Sequence, residues 1–188
     1  HSHSFLISAM GAALNRFWKK DEGDHILMVG LDGAGSTTIL FQFKYGKCVE
    51  TLNAYGLNVE QISHNNIAYT ILDVGRPFTN RALWHYYYTE MKGVIFVIDS
   101  SDVNRIEEAK TALESIIDHP EMANTKLLVF ANKKDLPNAL SADELTDRLQ
   151  LKSRTQNDHF KWHVQTSNAN TAEGIYEGLA WMGENLRE

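Results

Sequence analysis

A single cysteine, Cys48, stands among the 188 residues, so no intramolecular disulfide can form. The natural setting is a reducing compartment, with the thiol structural or at the surface. Basic residues are not in excess: 18 Lys and Arg face 24 Asp and Glu, a net charge of -6. With a pI near 5.7, the chain lacks the basic footprint that a nucleic-acid partner demands. Long apolar runs are missing too. The runs 94–98 and 127–131 fall far short of the ~20 residues that span a bilayer and read as buried strands. No repeat, low-complexity stretch or linker divides the chain, and a composition of 43% hydrophobic and 22% charged residues suits one compact cytosolic domain; a monomer is expected.

What is present alternates. Apolar runs of strand length at 25–30, 57–63, 67–73, 93–99, 126–131 and 161–166 are interleaved with helical patterns at 105–118, 141–149 and about 171–186. This is the signature of a mostly parallel α/β sheet covered by helices on both faces. Ser141 and Glu144 have the spacing of a capping box. The second and third strands are separated only by His64, Asn65 and Asn66, which predicts a hairpin and one antiparallel edge strand. The opening residues 1–9 have no basic n-region and read as an expression leader, with Met10 as the expected native start.

Two motifs carry chemistry. Gly30-Leu31-Asp32-Gly33-Ala34-Gly35-Ser36-Thr37 follows a strand and opens a helix, the context of a phosphate-binding loop. Glycines let backbone N–H groups curl around an anion, and the helix N-terminus adds positive potential. Thr37 offers a hydroxyl to Mg²⁺. The lysine of the pattern, which reaches the outer phosphates, is replaced by Ser36, which has neither its charge nor its reach. Far downstream, Asn132-Lys133-Lys134-Asp135 places an Asn-Lys-x-Asp motif just after a strand. In G proteins the aspartate of such a motif accepts from the N1 and N2 groups of guanine and the lysine stem packs along the base.

Around these motifs the resemblance is longer. The segments 28–35, 96–100, 128–139 and 176–179 all resemble ADP-ribosylation factor (Arf) proteins, and the likeness runs from Met10 to near the C-terminus. It implies a P-loop G-domain fold over residues 23–188 with a six-stranded sheet, and GDP or GTP with Mg²⁺ as ligands. A switching role in membrane traffic at the Golgi or another endomembrane follows. The nucleotide site then comprises Asp32, Gly33, Ala34, Gly35, Ser36, Thr37, Thr38, Gly75, Arg76, Asn132, Lys133, Asp135, Asn168 and Ala169. The backbone of Ala169 meets the base oxygen, while Thr37 and Asp73 serve the metal, Asp73 from its outer shell.

The departures from the family fall on one task. The switch I threonine that ligates Mg²⁺ is Ala54. The family's Asp-Val-Gly-Gly-Gln is Asp73-Val74-Gly75-Arg76-Pro77, so Arg76 replaces a glycine that contacts the terminal phosphate and Pro77 replaces the glutamine that orients the attacking water. No catalytic residue remains at that position. Losing the loop lysine alone is expected to weaken nucleotide binding roughly 30- to several-thousand-fold. The expectation is a guanine-nucleotide-binding protein with little or no hydrolysis. The alternatives are a nucleotide-free scaffold and an active GTPase repaired by Arg76 or by a partner. Of the three aromatics that Arf proteins gather between the switches, the matching positions are Leu57, Leu72 and Tyr87, so different effectors are expected.

Residues 10–22 read as an amphipathic helix. Met10, Leu14, Phe17 and Trp18 share one face, and Asn15, Arg16, Lys19 and Lys20 the other. This suits a helix lying in a membrane interface, and Gly11 is where the family carries myristate. Asn15 stands where the general acylation motif has Ser or Thr. The alternative is a helix that covers a groove on its own domain.

Overall fold

The computed structural model describes residues 23–48, 57–74, 84, 85, 87–154 and 160–187. Six strands form one sheet in the order β2-β3-β1-β4-β5-β6: β1 (Asp24–Gly30), β2 (Leu57–His64), β3 (Ile67–Val74), β4 (Gly93–Asp99), β5 (Lys126–Asn132) and β6 (Trp162–Thr166). All neighbours pair in parallel except β2 with β3. The helices are α1 (Ser36–Tyr45), α2 (Ile106–Ile117), α3 (Ala142–Arg148) and α4 (Ile175–Leu186).

Strand alternation sorts the core into two layers. Leu27, Val29, Leu72, Phe96 and Val129 face α2 and α3, meeting Ile106, Ala109, Leu113, Ile116 and Leu145. Ile26, Met28, Ile71, Val97 and Phe130 face the opposite way, onto Ile39, Leu40 and Phe43 of α1 and Ile175, Leu179 and Met182 of α4. Leu72 and Tyr87 lie in the first layer and Leu57 packs against it, so the leucines that the resemblance sets at aromatic positions pack with the core.

Expected and observed elements differ where turn chemistry decides. The β2–β3 connection is a two-residue turn, with His64 opposite Ile67. Asn65 and Asn66 both take positive φ, 50° and 59°, which asparagine tolerates and the strand twist favours. The expected three-residue connection would have set Leu57 opposite Asp73; the tighter turn shifts the register by one and sets Asn58 there. The last helix begins at Ile175, not near Thr171. Ala172 and Gly174 are left-handed, at φ 66° and 76°, and a bridge from Asn168 to Glu173 makes this stretch a tight turn. A Cβ on Gly174 would sit 2.0 Å from the Thr166 carbonyl oxygen. The capping box forms as expected: the Ser141 hydroxyl accepts from the Glu144 N–H, and the Glu144 carboxylate accepts from the Ser141 N–H. Among the described residues no helix is long and apolar enough to cross a membrane.

Candidate nucleotide-binding site

The carboxyl ends of β1, β3, β4 and β5 converge on one edge of the sheet, where open α/β sheets hold their ligands. β1 ends at Gly30, and the chain turns through Gly33 and Gly35 at φ 77° and 99°. A Cβ on Gly35 would fall 2.5 Å from the Asn132 amide nitrogen, so only glycine permits both the backbone angle and the approach. Helix α1 starts at once, and no side chain caps it. The first-turn N–H groups of a helix have no intrahelical partners, so those of Ser36, Thr37 and Thr38 form a donor set suited to an anion.

Asn132, 1% exposed, ties this loop to a second recognition loop, residues 167–170. Its amide donates to the Ala34 carbonyl at 2.8 Å, and its oxygen accepts from the Ala169 N–H at 3.0 Å and the Ser167 hydroxyl at 3.3 Å. The Ala169 N–H that the resemblance assigns to the base therefore already has an acceptor. Asn168 is buried, and its side chain accepts from the Asn170 N–H at 2.9 Å. Lys133, left-handed at φ 61°, donates from its ammonium to Asp99 at 2.6 Å. Burial pushes the Asp99 carboxyl up, but hydrogen bonds from Lys133 and Ser101 outweigh it and hold it below the usual range. Asp135 is exposed.

At the other end, Thr37 Oγ1 donates to Asp73 Oδ2 at 2.7 Å, and the Asn58 amide donates to the same oxygen at 3.3 Å. Asp73 is 0% exposed, and its Oδ1 has no hydrogen-bond partner among the described residues. Burial raises its pKa, opposed chiefly by the Thr37 hydrogen bond. An orphaned carboxylate oxygen beside a threonine hydroxyl is hard-cation chemistry, so these residues fit Mg²⁺. Arg105 pins the outer side of the phosphate loop, its guanidinium donating to Asp32 Oδ1 at 2.7 Å, the Asp32 carbonyl at 3.2 Å and Glu108 at 2.9 Å. Arg105 also lines a cavity of about 200 Å³, together with Leu31, Ile98, Ile106, Ala109 and Lys133.

The structure thus brings together Thr37 with Asp73, and Ala34, Asn132 and Ala169, across long stretches of chain. Gly11, Ala54, Gly75, Arg76 and Pro77 lie outside the described residues, as do the expected leader and amphipathic helix. Three contributors escaped sequence reasoning. Asn58 was hidden by the hairpin register, and Arg105 by its distance from the loop. Gln42 gave one signal, a lone amide on the apolar face of α1.

A glycine loop between strand and helix at the carboxyl edge of this sheet, tied by the Asn-Lys-x-Asp asparagine to a second loop, defines a P-loop GTP-binding domain. The family model described as "ADP-ribosylation factor family" matches residues 10–186, and the chain belongs to that family as an Arf-like small GTP-binding protein. Its fold is similar to a structure described as the Arl6 BBS3 small GTPase from Trypanosoma brucei with bound nucleotide analogue GppNp. The TM-score is 0.77 at 31% identity, over 88% of this chain and 98% of that one. Proteins of the family bind guanine nucleotide and Mg²⁺.

Proposed function

We propose that this protein binds guanine nucleotide, hydrolyses GTP little or not at all, and acts as a membrane-associated interaction module in endomembrane traffic. Ser36 carries the reading. It begins α1 in a loop whose glycines, backbone N–H donors and Asn132 tether are intact, so the base end and the backbone cradle are kept while the cation for the outer phosphates is missing. Ala54, Arg76 and Pro77, read from the sequence, remove the switch I metal ligand, a phosphate contact and the water-orienting amide.

The residues present divide the work. Asp135 reads the base edge, the first turn of α1 and its preceding loop hold phosphate oxygens, and Thr37 with Asp73 hold Mg²⁺, which would neutralise phosphate charge when bound. Nothing among these side chains activates water. The N-terminal residues 10–22, with Gly11 as acylation site, supply peripheral attachment of a cytoplasmic monomer to a Golgi or other endomembrane surface. The effectors are expected to differ from those of relatives with an aromatic triad.

Denaturing the purified protein and identifying released nucleotides by ion-exchange chromatography tests this. GDP with no single-turnover cleavage of added GTP supports it. Robust turnover of GTP overturns it in favour of a repaired GTPase, and an empty site that added GDP does not fill overturns it in favour of a scaffold.

A further inference from the structure

Gln42 sits on the face of α1 that packs into the core, between Ile39 and Phe43, and is 2% exposed. An apolar residue would suit such a face better, because a buried amide must be hydrogen-bonded to avoid a desolvation cost. Half of this amide is not: Oε1 is buried without a hydrogen-bond partner among the described residues. The other half is fully used. Nε2 donates to the Ala169 carbonyl at 2.9 Å and to the Asn170 carbonyl at 3.4 Å. The backbone beneath it is fixed as well, since the Gln42 carbonyl accepts from the Tyr176 hydroxyl at 2.8 Å and from the Gly46 N–H at 2.9 Å.

Ala169 is therefore gripped from two sides. Asn132 takes its N–H at 3.0 Å and Gln42 takes its C=O, so the loop beside the Asn-Lys-x-Asp motif cannot turn about its own peptides without breaking one of them. The same helix carries Thr37, five residues and so about 7.5 Å of helix earlier. One rigid element thus links the metal end of the site to the base end.

We propose that Gln42 is a positioning residue for base recognition: by holding the Ala169 and Asn170 carbonyls it fixes the loop so that the Ala169 N–H, given to Asn132 Oδ1 here, is shared with the 6-oxo oxygen when guanine binds, and so it sets how long a guanine nucleotide stays bound. The inference rests on guanine binding at this site. Gln42→Met keeps length and apolar volume but removes the donor, Gln42→Glu offers only acceptors to two carbonyl oxygens, and Gln42→Lys restores a donor.

The test uses the full chain with Mg²⁺. Release of a fluorescent methylanthraniloyl GDP is followed by stopped flow, and the diphosphate of 2-aminopurine riboside, which lacks the 6-oxo group, is measured by competition. The Met and Glu variants should release GDP about 5- to 100-fold faster, the range for orphaning a buried acceptor. The Lys variant should return close to the wild-type rate, and the 2-aminopurine nucleotide should bind all four proteins alike. Thermal melting without nucleotide confirms that each variant folds; Met and Glu remove the donor by different chemistry, so either one that folds supplies the comparison with the Lys variant and wild type. Equal losses for both nucleotides, or a Lys variant as fast as the Met variant, overturn the positioning role and leave guanine binding standing. Failure of the wild type to hold any guanine nucleotide overturns both.

Discussion

Replacing Asp73 by Asn should stabilise the metal-free protein while destroying its response to Mg²⁺. Asp73 has no exposed surface; among the described residues its Oδ2 accepts from Thr37 and Asn58, while its Oδ1 has no partner. Asparagine keeps an acceptor for both donors and removes the buried charge. The asparagine Nδ2 at the orphaned position still costs what an unsatisfied buried polar group costs, and a charged one costs more, so the gain is that excess alone, on the order of 1 kcal/mol. For a domain of this size that is a rise in Tm of about 2–4 °C. The pH dependence fixes the sign. Burial raises the folded pKa of Asp73 above its ordinary 3.8, so the folded state holds this proton more tightly than the unfolded one. The penalty is absent below the unfolded pKa and grows as pH rises, becoming complete above the folded pKa. In EDTA, the difference in melting temperature between Asp73→Asn and wild type should therefore be near zero around pH 3.5, if both still fold, and largest at neutral pH. Adding Mg²⁺ to the GDP-loaded proteins should then raise wild type further and leave the variant unmoved. A variant that melts below wild type in EDTA at pH 7 would refute the reasoning, because it would mean that the carboxylate is paired in a way the geometry does not show.

Guanine specificity should reside in Asp135: GDP, and not ADP, should raise the melting temperature, and Asp135→Ala should remove the difference, since a hydrogen-bonded contact that the bound base would cover is worth about 1–3 kcal/mol. Equal shifts for GDP and ADP would contradict it. Ser36→Lys should tighten GDP binding roughly 30- to several-thousand-fold by calorimetry, and an unchanged affinity would show that another cation already serves the phosphates. Pro77→Gln alone should not restore single-turnover GTP cleavage, because Ser36 and Ala54 remain; a large rescue would show the account of the site to be wrong. Ser141→Ala should cost about 1 kcal/mol by losing the α3 cap, read as a fall in Tm of about 2–4 °C. Flotation of acylated protein with anionic liposomes should be the same with GDP and with a non-hydrolysable GTP analogue, because a ligand shifts an equilibrium only by its differential affinity for the two states; a several-fold increase with the analogue would assign the sensing to another residue such as Arg76.

Local chemistry wrote much of this protein directly into its sequence. Strand-length apolar runs, a glycine turn before a helix, Ser141 three residues before Glu144, and the Asn-Lys-x-Asp motif are each specified by neighbours a few residues apart. They suffice for the element order, the parallel sheet and the class of ligand. The substitutions at Ser36, Ala54, Arg76 and Pro77 are equally legible, since each is read against a motif and not against a distant partner. What the tertiary structure decided is which distant groups meet. Whether the hairpin turned on two residues or three depended on two asparagines adopting positive φ, and that single step chose Asn58 over Leu57 as the neighbour of Asp73. The start of α4 was set by a bridge and two left-handed residues that tie it to the second recognition loop, against a sequence that would also allow helix from Thr171. Arg105 meets Asp32, and Gln42 meets Ala169, because α2 and α1 pack on opposite faces of the same sheet. Such contacts span residues with no periodic relation along the chain, so only the folded packing brings them within hydrogen-bonding distance.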